Sequence, residues 1–103
     1  MELTFSEVNS DVTTERIAYY NMQAEVHPAA LRHGVTERDI RHAIEHSLVV
    51  EEVGEDPSRF LVLGPDSAGN LLEVVVLDRV TGPMVIHAMA MRTAYGRLLG
   101  RER

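Results

Sequence analysis

The fold is decided by one stretch near the end of the chain, residues 70–99, which reads NLLEVVVLDRVTGPMVIHAMAMRTAYGRLL. Residues 71–77 are almost continuously apolar and rich in valine, turn formers follow at 81–83, and residues 84–91 are again apolar. Two such runs joined by a short turn predict an antiparallel β-hairpin. Residues 92–100, where apolar side chains recur every three or four positions, predict a terminal helix packed on that sheet.

The predicted sheet extends upstream of this hairpin. Residues 47–53 and 59–63 are two further apolar runs, separated by the turn formers of 54–57 and followed by those of 64–70. Connections this short join sequential antiparallel strands. We therefore predict a four-stranded antiparallel meander.

Helices are predicted before the sheet. Ile17, Tyr20 and Ala24 recur at helical spacing behind a cap at Asp11 or Thr13, and Pro28 ends that pattern. Pro28 also suits the first position of a short helix over residues 28–33. Thr36 is placed to cap a helix over residues 37–46, with Asp39 at its third position.

The N-terminal residues 1–8 alternate in polarity, which indicates a short strand or an extended arm. The predicted fold class is therefore α+β. Two N-terminal helices, with the short helix over residues 28–33 between them, precede the four-stranded antiparallel meander, and a C-terminal helix packs on the sheet.

Length and composition restrict the class of protein. The chain has 103 residues, 45% of them hydrophobic and 25% charged, which suits one globular domain. The absence of cysteine excludes disulfides and thiolate catalysis. The sequence contains neither a run of about 18 apolar residues nor a basic signal-peptide head. We predict a cytoplasmic protein that makes no membrane contact.

The charge distribution is uneven along the chain. A net charge of −6 argues against a general nucleic-acid binder, because phosphate contacts need concentrated cationic side chains. However, residues 1–26 are mainly acidic, whereas residues 80–103 are mainly basic, and every cationic side chain is an arginine. The basic end leaves open a local contact with an anion.

Asp39, His42 and His46 project from one side of the predicted helix over residues 37–46. Histidines four positions apart can share a metal ion, but the three side chains span about 10 Å, so one ion could bind only two of them. A solvated helix face is the simpler interpretation. The sequence also lacks a phosphate-binding glycine loop. We predict no metal site and no cofactor.

His87 lies in the last predicted strand. Strict alternation places it on the same face as Val85, Met89 and Met91, where a core residue is expected unless that face borders an open groove. Two interpretations remain open: a hydrogen-bonded structural histidine, or a functional one.

The functional interpretation combines His87 with Arg92, Arg59 and Tyr95. A histidine or tyrosine can move the proton of an RNA 2′-hydroxyl group, while guanidinium groups hold the phosphate and its developing charge. These residue types suit phosphodiester cleavage, although no defining spacing connects them.

Four short motifs resemble one protein family, the BrnT-like toxins of type II toxin–antitoxin systems, which are small relatives of the RelE/ParE toxin fold. The matching segments are LRHGV at 31–35, RFLVLG at 59–64, GNLLEVVV at 69–76 and VIHA at 85–88 before an arginine-bearing helix. Their order and spacing are similar over residues 27–99. The resemblance implies a toxin domain over residues 27–103, preceded by an extension over residues 1–26.

The resemblance also implies a function. Such toxins are ribosome-independent endoribonucleases that a cognate antitoxin of the ribbon-helix-helix type neutralises, so RNA and that antitoxin are the expected partners. By position, the family motifs cover Arg32, His33, Arg59, His87 and Arg92. With the terminal helix added, the predicted catalytic residues are His87, Arg92, Arg59, His33 and Tyr95, and the predicted substrate-binding residues are Arg32 and Arg97.

Two alternatives remain. A non-catalytic module could keep the toxin fold and bind a protein through a sheet face bearing Met84, Met89 and Met91. A pocket lined by these methionines and closed by His87 could instead hold a small ligand. The sequence is also compatible with a homo-oligomer.

Overall fold

The computed structural model describes residues 17–21 and 23–100, which form an α+β fold. The strands are β1 (Glu25–Val26), β2 (Val49–Gly54), β3 (Ser58–Pro65), β4 (Leu71–Arg79) and β5 (Gly82–Ala90). The helices are α1 (residues 17–21 and 23), α2 (Glu37–Glu45) and two 3-10 helices, Pro28–Leu31 and Thr93–Leu99. The predicted N-terminal strand or arm and the predicted caps Asp11 and Thr13 lie outside the described residues.

The predicted meander is confirmed for β2 to β5, but the sheet is larger than predicted. Its strand order is β1-β5-β4-β3-β2, and β1 pairs in parallel with β5. The prediction of a purely antiparallel four-stranded sheet is therefore wrong at this edge. Arg79 helps to hold β1 there, because its Nη2 lies 3.4 Å from Oε1 of Glu25. A strand of two residues is too short to show a periodic pattern.

Two of the predicted helices have a different helical form. The helix predicted over 28–33 is the 3-10 helix Pro28–Leu31, capped by His27 Nδ1, which accepts a hydrogen bond from Ala29 N at 3.0 Å. The helix predicted over 92–100 is the 3-10 helix Thr93–Leu99, which contains no fully buried residue. A 3-10 helix has three residues per turn, so an apolar arc laid out for an α-helix does not form there.

The predicted cap of α2 is confirmed, since Thr36 Oγ1 accepts a hydrogen bond from Asp39 N at 3.1 Å. Arg41, further along α2, joins this helix to α1. Its guanidinium donates hydrogen bonds to the backbone carbonyls of Asn21 and Ala24, each at 2.9 Å. These two carbonyls lie near the end of α1, so Arg41 satisfies acceptors that the helix itself leaves open.

The apolar core lies between the helices and one face of the sheet. Alternate residues of β3 and β4 point into it and meet apolar side chains of α1 and α2. The strands contribute Val62, Val74 and Val76, and the helices contribute Tyr20, Ile40 and Ile44. At Gly64 the strand β3 passes beneath α2, and a Cβ atom there would collide with the carbonyl oxygen of Ala43. Glycine at this position therefore permits the close approach of helix and sheet.

A β-bulge in β5 sets the direction of His87. Val75 pairs with His87 whereas Val76 pairs with Val85, so Ile86 is left without a partner in the ladder. Directly opposed residues of an antiparallel pair share a face. Val85 therefore enters the core and His87 emerges on the opposite face, which corrects the prediction that both share one face.

Among the described residues, no helix is long and apolar enough to cross a membrane.

Candidate functional site

The centre of the site is the carboxylate of Glu73, which is buried in β4 on the face opposite α1 and α2. Five hydrogen bonds from four donor groups of two residues converge on it. His87 Nε2 lies 2.9 Å from Oε2, Arg92 Nη2 donates to Oε2 at 2.6 Å, and Arg92 Nε lies 3.1 Å from both oxygens. The backbone N–H of Arg92 donates to Oε1 at 2.9 Å, where the chain leaves β5.

These contacts decide the charge of Glu73. Burial alone raises the pKa of this carboxyl group, but the hydrogen bonds from the Arg92 side chain and backbone, and then from His87, outweigh it and leave the pKa below its usual value. The same pairing raises the pKa of Arg92 through the hydrogen bond and the charge of Glu73. Glu73 is therefore an ionised carboxylate inside the protein, paired with a cation.

The ionised carboxylate also fixes the tautomer of His87. A carboxylate only accepts hydrogen bonds, so the Nε2 atom of His87, 2.9 Å from it, carries the proton. In the neutral ring the free lone pair is then on Nδ1. The His87 side chain is 28% exposed. This arrangement resembles a catalytic dyad, in which a buried acid orients a histidine and stabilises its protonated form.

Two more side chains border this dyad. The ring of His33 meets the ring of His87 edge to face, with 5.7 Å between centroids. His33 follows the 3-10 helix Pro28–Leu31, which runs beside β5, and the chain then turns at Gly34 with a φ of 86°. Tyr95 lies beneath the Arg92 guanidinium, whose Cζ atom is 5.7 Å from the ring centroid.

The structure thus brings together four of the five predicted catalytic residues, namely His33, His87, Arg92 and Tyr95. Two imidazoles, a phenol and a half-exposed guanidinium lie around one buried carboxylate. Such a set can accept a proton at one point, donate a proton at another and hold an anion between them.

Arg59 is not part of this cluster. It pairs with Leu77, four residues along β4 from Glu73, which is about 13 Å at the usual rise of a strand. Its guanidinium lies instead over Gly54, in the space that a side chain there would fill. Arg32 is exposed, and Arg97 donates to the carbonyl of Ala94 within its own helix at 3.0 Å. None of the contacts of the described residues brings these three arginines to Glu73.

Glu73 itself was not among the residues predicted for the site. The signal was a single carboxylate in an otherwise apolar strand, within LLEVVVL at 71–77. A carboxylate in such a strand is costly unless it is paired. The sequence does not identify the partners of Glu73, because His87 and Arg92 reach it only through the register of β4 with β5.

A second group of polar side chains lies on α2, where Asp39, His42 and His46 share a side as predicted. Asp39 Oδ1 accepts hydrogen bonds from Ser67 N at 3.1 Å and Ser67 Oγ at 2.7 Å, and these bonds lower the Asp39 pKa. His42 Nδ1 lies 2.8 Å from the carbonyl oxygen of Pro65. Both contacts attach α2 to the turn between β3 and β4.

No protein-family model, curated protein or solved structure matches this chain. The resemblance to BrnT-like toxins remains a prediction from the four motifs.

Proposed function

We propose that this protein is a toxin-like endoribonuclease that cleaves RNA phosphodiester bonds by acid–base catalysis. The observation that carries the proposal is the dyad of His87 and the buried, ionised Glu73, with a second imidazole, His33, 5.7 Å away between ring centroids. Cleavage beside a 2′-hydroxyl group needs one proton acceptor and one proton donor, and two neighbouring histidines supply both.

In the proposed reaction, Nδ1 of His87 accepts the proton of the 2′-hydroxyl group. The 2′-oxygen then attacks the adjacent phosphorus, and the bond from phosphorus to the 5′-oxygen breaks. Protonated His33, or Tyr95, donates a proton to that leaving oxygen. The products are a 2′,3′-cyclic phosphate and a free 5′-hydroxyl group. Glu73 holds the His87 ring and stabilises its imidazolium form.

Arg92 would have two roles. Its guanidinium bonds to Glu73 through Nε and Nη2, and its side chain is 57% exposed, so part of the group faces solvent. A guanidinium group offers several donors in one plane, so it can neutralise Glu73 and still contact a phosphate oxygen. The Tyr95 ring lies beneath this guanidinium and faces its positive charge.

The resemblance adds a partner and a setting to the proposal. A ribbon-helix-helix antitoxin would restrain the nuclease in the cytoplasm by covering the site. Two exposed arginines are candidate contacts for RNA or for an acidic antitoxin. They are Arg97, which follows Arg92 in the chain, and Arg32, which directly precedes His33.

The test is induced expression in a bacterial host, together with incubation of the purified protein with total RNA. The wild-type chain should arrest growth and cleave RNA. His87→Ala should reduce cleavage by about 10²-fold or more, because general acid–base groups contribute roughly that amount. Circular dichroism must show that the variant is folded.

A matched control is His27→Asn. His27 precedes the 3-10 helix Pro28–Leu31, whereas His33 follows it, so this change removes a different imidazole. Asparagine still provides a side chain that caps helices well. This variant should cleave RNA like the wild type. Intact RNA with the folded wild-type protein, or equal cleavage by His87→Ala, would contradict the proposal.

A second function is favoured by one observation: Met84, Met89 and Met91 are all partly exposed. Met84 and Met89 lie on the same face of β5 as His87. Flexible methionine side chains suit a protein-binding surface. If the wild-type protein leaves RNA intact, we propose that it is a non-catalytic binding module in which the Glu73 network stabilises that surface.

A further inference from the structure

His42 and His46 form a second histidine pair, on the side of α2 away from the apolar core. Their ring centroids are 4.4 Å apart, with an angle of 38° between the ring planes. His46 is exposed and His42 is partly exposed, so a solvated ion can reach both rings.

The contact with Pro65 sets the tautomer of His42. A backbone carbonyl oxygen only accepts hydrogen bonds, so His42 Nδ1, 2.8 Å from the Pro65 oxygen, carries the proton. The neutral ring then has its lone pair on Nε2. Histidines that bind metals commonly donate their other ring N–H to a backbone carbonyl in this way, which fixes the ring and prepares the ligand.

We propose that His42 and His46 bind one divalent transition-metal ion of the Zn²⁺, Ni²⁺ or Cu²⁺ class, with His42 coordinating through Nε2. Two nitrogens bound to one tetrahedral zinc are about 3.3 Å apart, and rings with centroids at 4.4 Å can supply them. No group of three histidines, aspartates or glutamates among the described residues could hold one ion, so water fills the remaining positions. Imidazole ligands favour these metals over Mg²⁺ or Ca²⁺.

Asp39 contributes to this site through charge and not as a ligand. Its Oδ1 atom is occupied by two hydrogen bonds from Ser67, and these bonds keep the carboxyl group ionised by lowering its pKa. An anion one turn before His42 favours a cation nearby. The proposal does not depend on the ribonuclease proposal, because the two histidine pairs share no residue.

The experiment is titration of the full-length protein with Zn²⁺ alone by isothermal calorimetry at neutral pH, in a buffer that does not bind metals. We expect one ion per chain. His46→Ala should weaken binding at least about tenfold through the loss of one of two ligands. His46 is exposed, so this variant should keep the fold, which circular dichroism can check. His27→Asn is the matched control and should bind Zn²⁺ like the wild type.

NMR spectroscopy locates the bound ion independently of the binding affinity. Paramagnetic Ni²⁺ added to the wild-type protein should broaden the imidazole resonances of His42 and His46 before those of the other histidines. Zn²⁺ binding that is equally strong in His46→Ala, or broadening that begins at other histidines, would overturn the proposal. Absence of Zn²⁺ binding by the folded wild-type protein would overturn it as well.

Discussion

The two histidine pairs differ in what supports them. His87, in contact with His33, is held by the buried carboxylate of Glu73, whereas His42, in contact with His46, is held by the backbone carbonyl of Pro65. A carboxylate places a negative charge beside its ring, whereas a backbone carbonyl places no net charge there. We therefore propose proton transfer at the first pair, where that charge can stabilise a developing imidazolium, and metal binding at the second.

The two pairs also differ in how they are assembled. His42 lies in the last turn of α2 and His46 is the cap residue directly after it, whose backbone N–H donates to the carbonyl of His42, so the second pair depends on local structure alone. The first pair requires β4, β5, the turn after the 3-10 helix Pro28–Leu31 and the start of the terminal 3-10 helix to meet correctly.

Glu73→Ala should destabilise the whole protein. It leaves Arg92 and His87 without the carboxylate that joins them, and breaking a buried ion pair costs about 3–5 kcal/mol. Because Arg92 stays 57% exposed, we expect about 3 kcal/mol, the lower end of that range. Urea denaturation followed by circular dichroism measures it. A loss well under 1 kcal/mol would mean that the network contributes little to stability.

Glu73→Gln should separate the two pairs functionally. The amide keeps the size of the side chain and an acceptor for His87, but it loses the charge that stabilises imidazolium. RNA cleavage should fall by about 10²-fold while Zn²⁺ binding stays unchanged. Cleavage kinetics and calorimetry on the same preparation measure both. If cleavage were unaffected, Glu73 would have no part in the proposed proton transfer.

Acid should weaken the protein in part through Glu73. The pKa of Glu73 is lowered in the folded state, so the unfolded chain takes up the proton first as the pH falls. The stabilisation is complete above the usual glutamate pKa, about 4.3, and is lost as the pH falls from there through the folded-state value. Urea midpoints at pH 7 and in this acidic range should differ less for Glu73→Gln than for the wild type. If the shift in urea midpoint between the two pH values were equal in both proteins, the acid sensitivity would come from other carboxylates.

Thr36→Ala should have a smaller effect, confined to the start of α2. It removes the hydrogen bond from Asp39 N, and loss of such a cap costs about 1 kcal/mol. His42 and His46 lie at the other end of the helix, so Zn²⁺ binding should persist. Thermal unfolding and calorimetry measure the two effects. Loss of Zn²⁺ binding in the folded variant would show that the metal site depends on the whole helix.

Arg59→Ala should have the smallest effect on RNA cleavage. The sequence predicts a catalytic role for Arg59, but the structure places it over Gly54 and away from Glu73. We expect cleavage within about twofold of the wild type, because surface changes away from a site have small effects. A loss of cleavage as large as that expected for His87→Ala would instead support the catalytic role that the sequence predicts for Arg59.

These contrasts also explain what the sequence could predict. The meander and the Thr36 cap are local, since each depends on residues within one strand, turn or helix end, and both are confirmed. The two-residue strand β1 and the 3-10 form of Thr93–Leu99 carry no periodic signal of their own. The partnership of Glu73 with His87 depends on strand register, which a bulge shifts at Ile86.

That bulge affects how the chain tolerates insertions and deletions. Val85 and Ala88 are both buried, yet they are separated by three steps, an odd number, whereas a regular strand returns to the same face only after an even number. Removing Ile86 would restore even spacing and leave His87 on its present face. β4 is regular at Glu73, so one residue inserted between Glu73 and Val74 would turn the carboxylate toward the apolar core. We therefore expect the site to survive deletion of Ile86 in β5 but not the insertion beside Glu73 in β4.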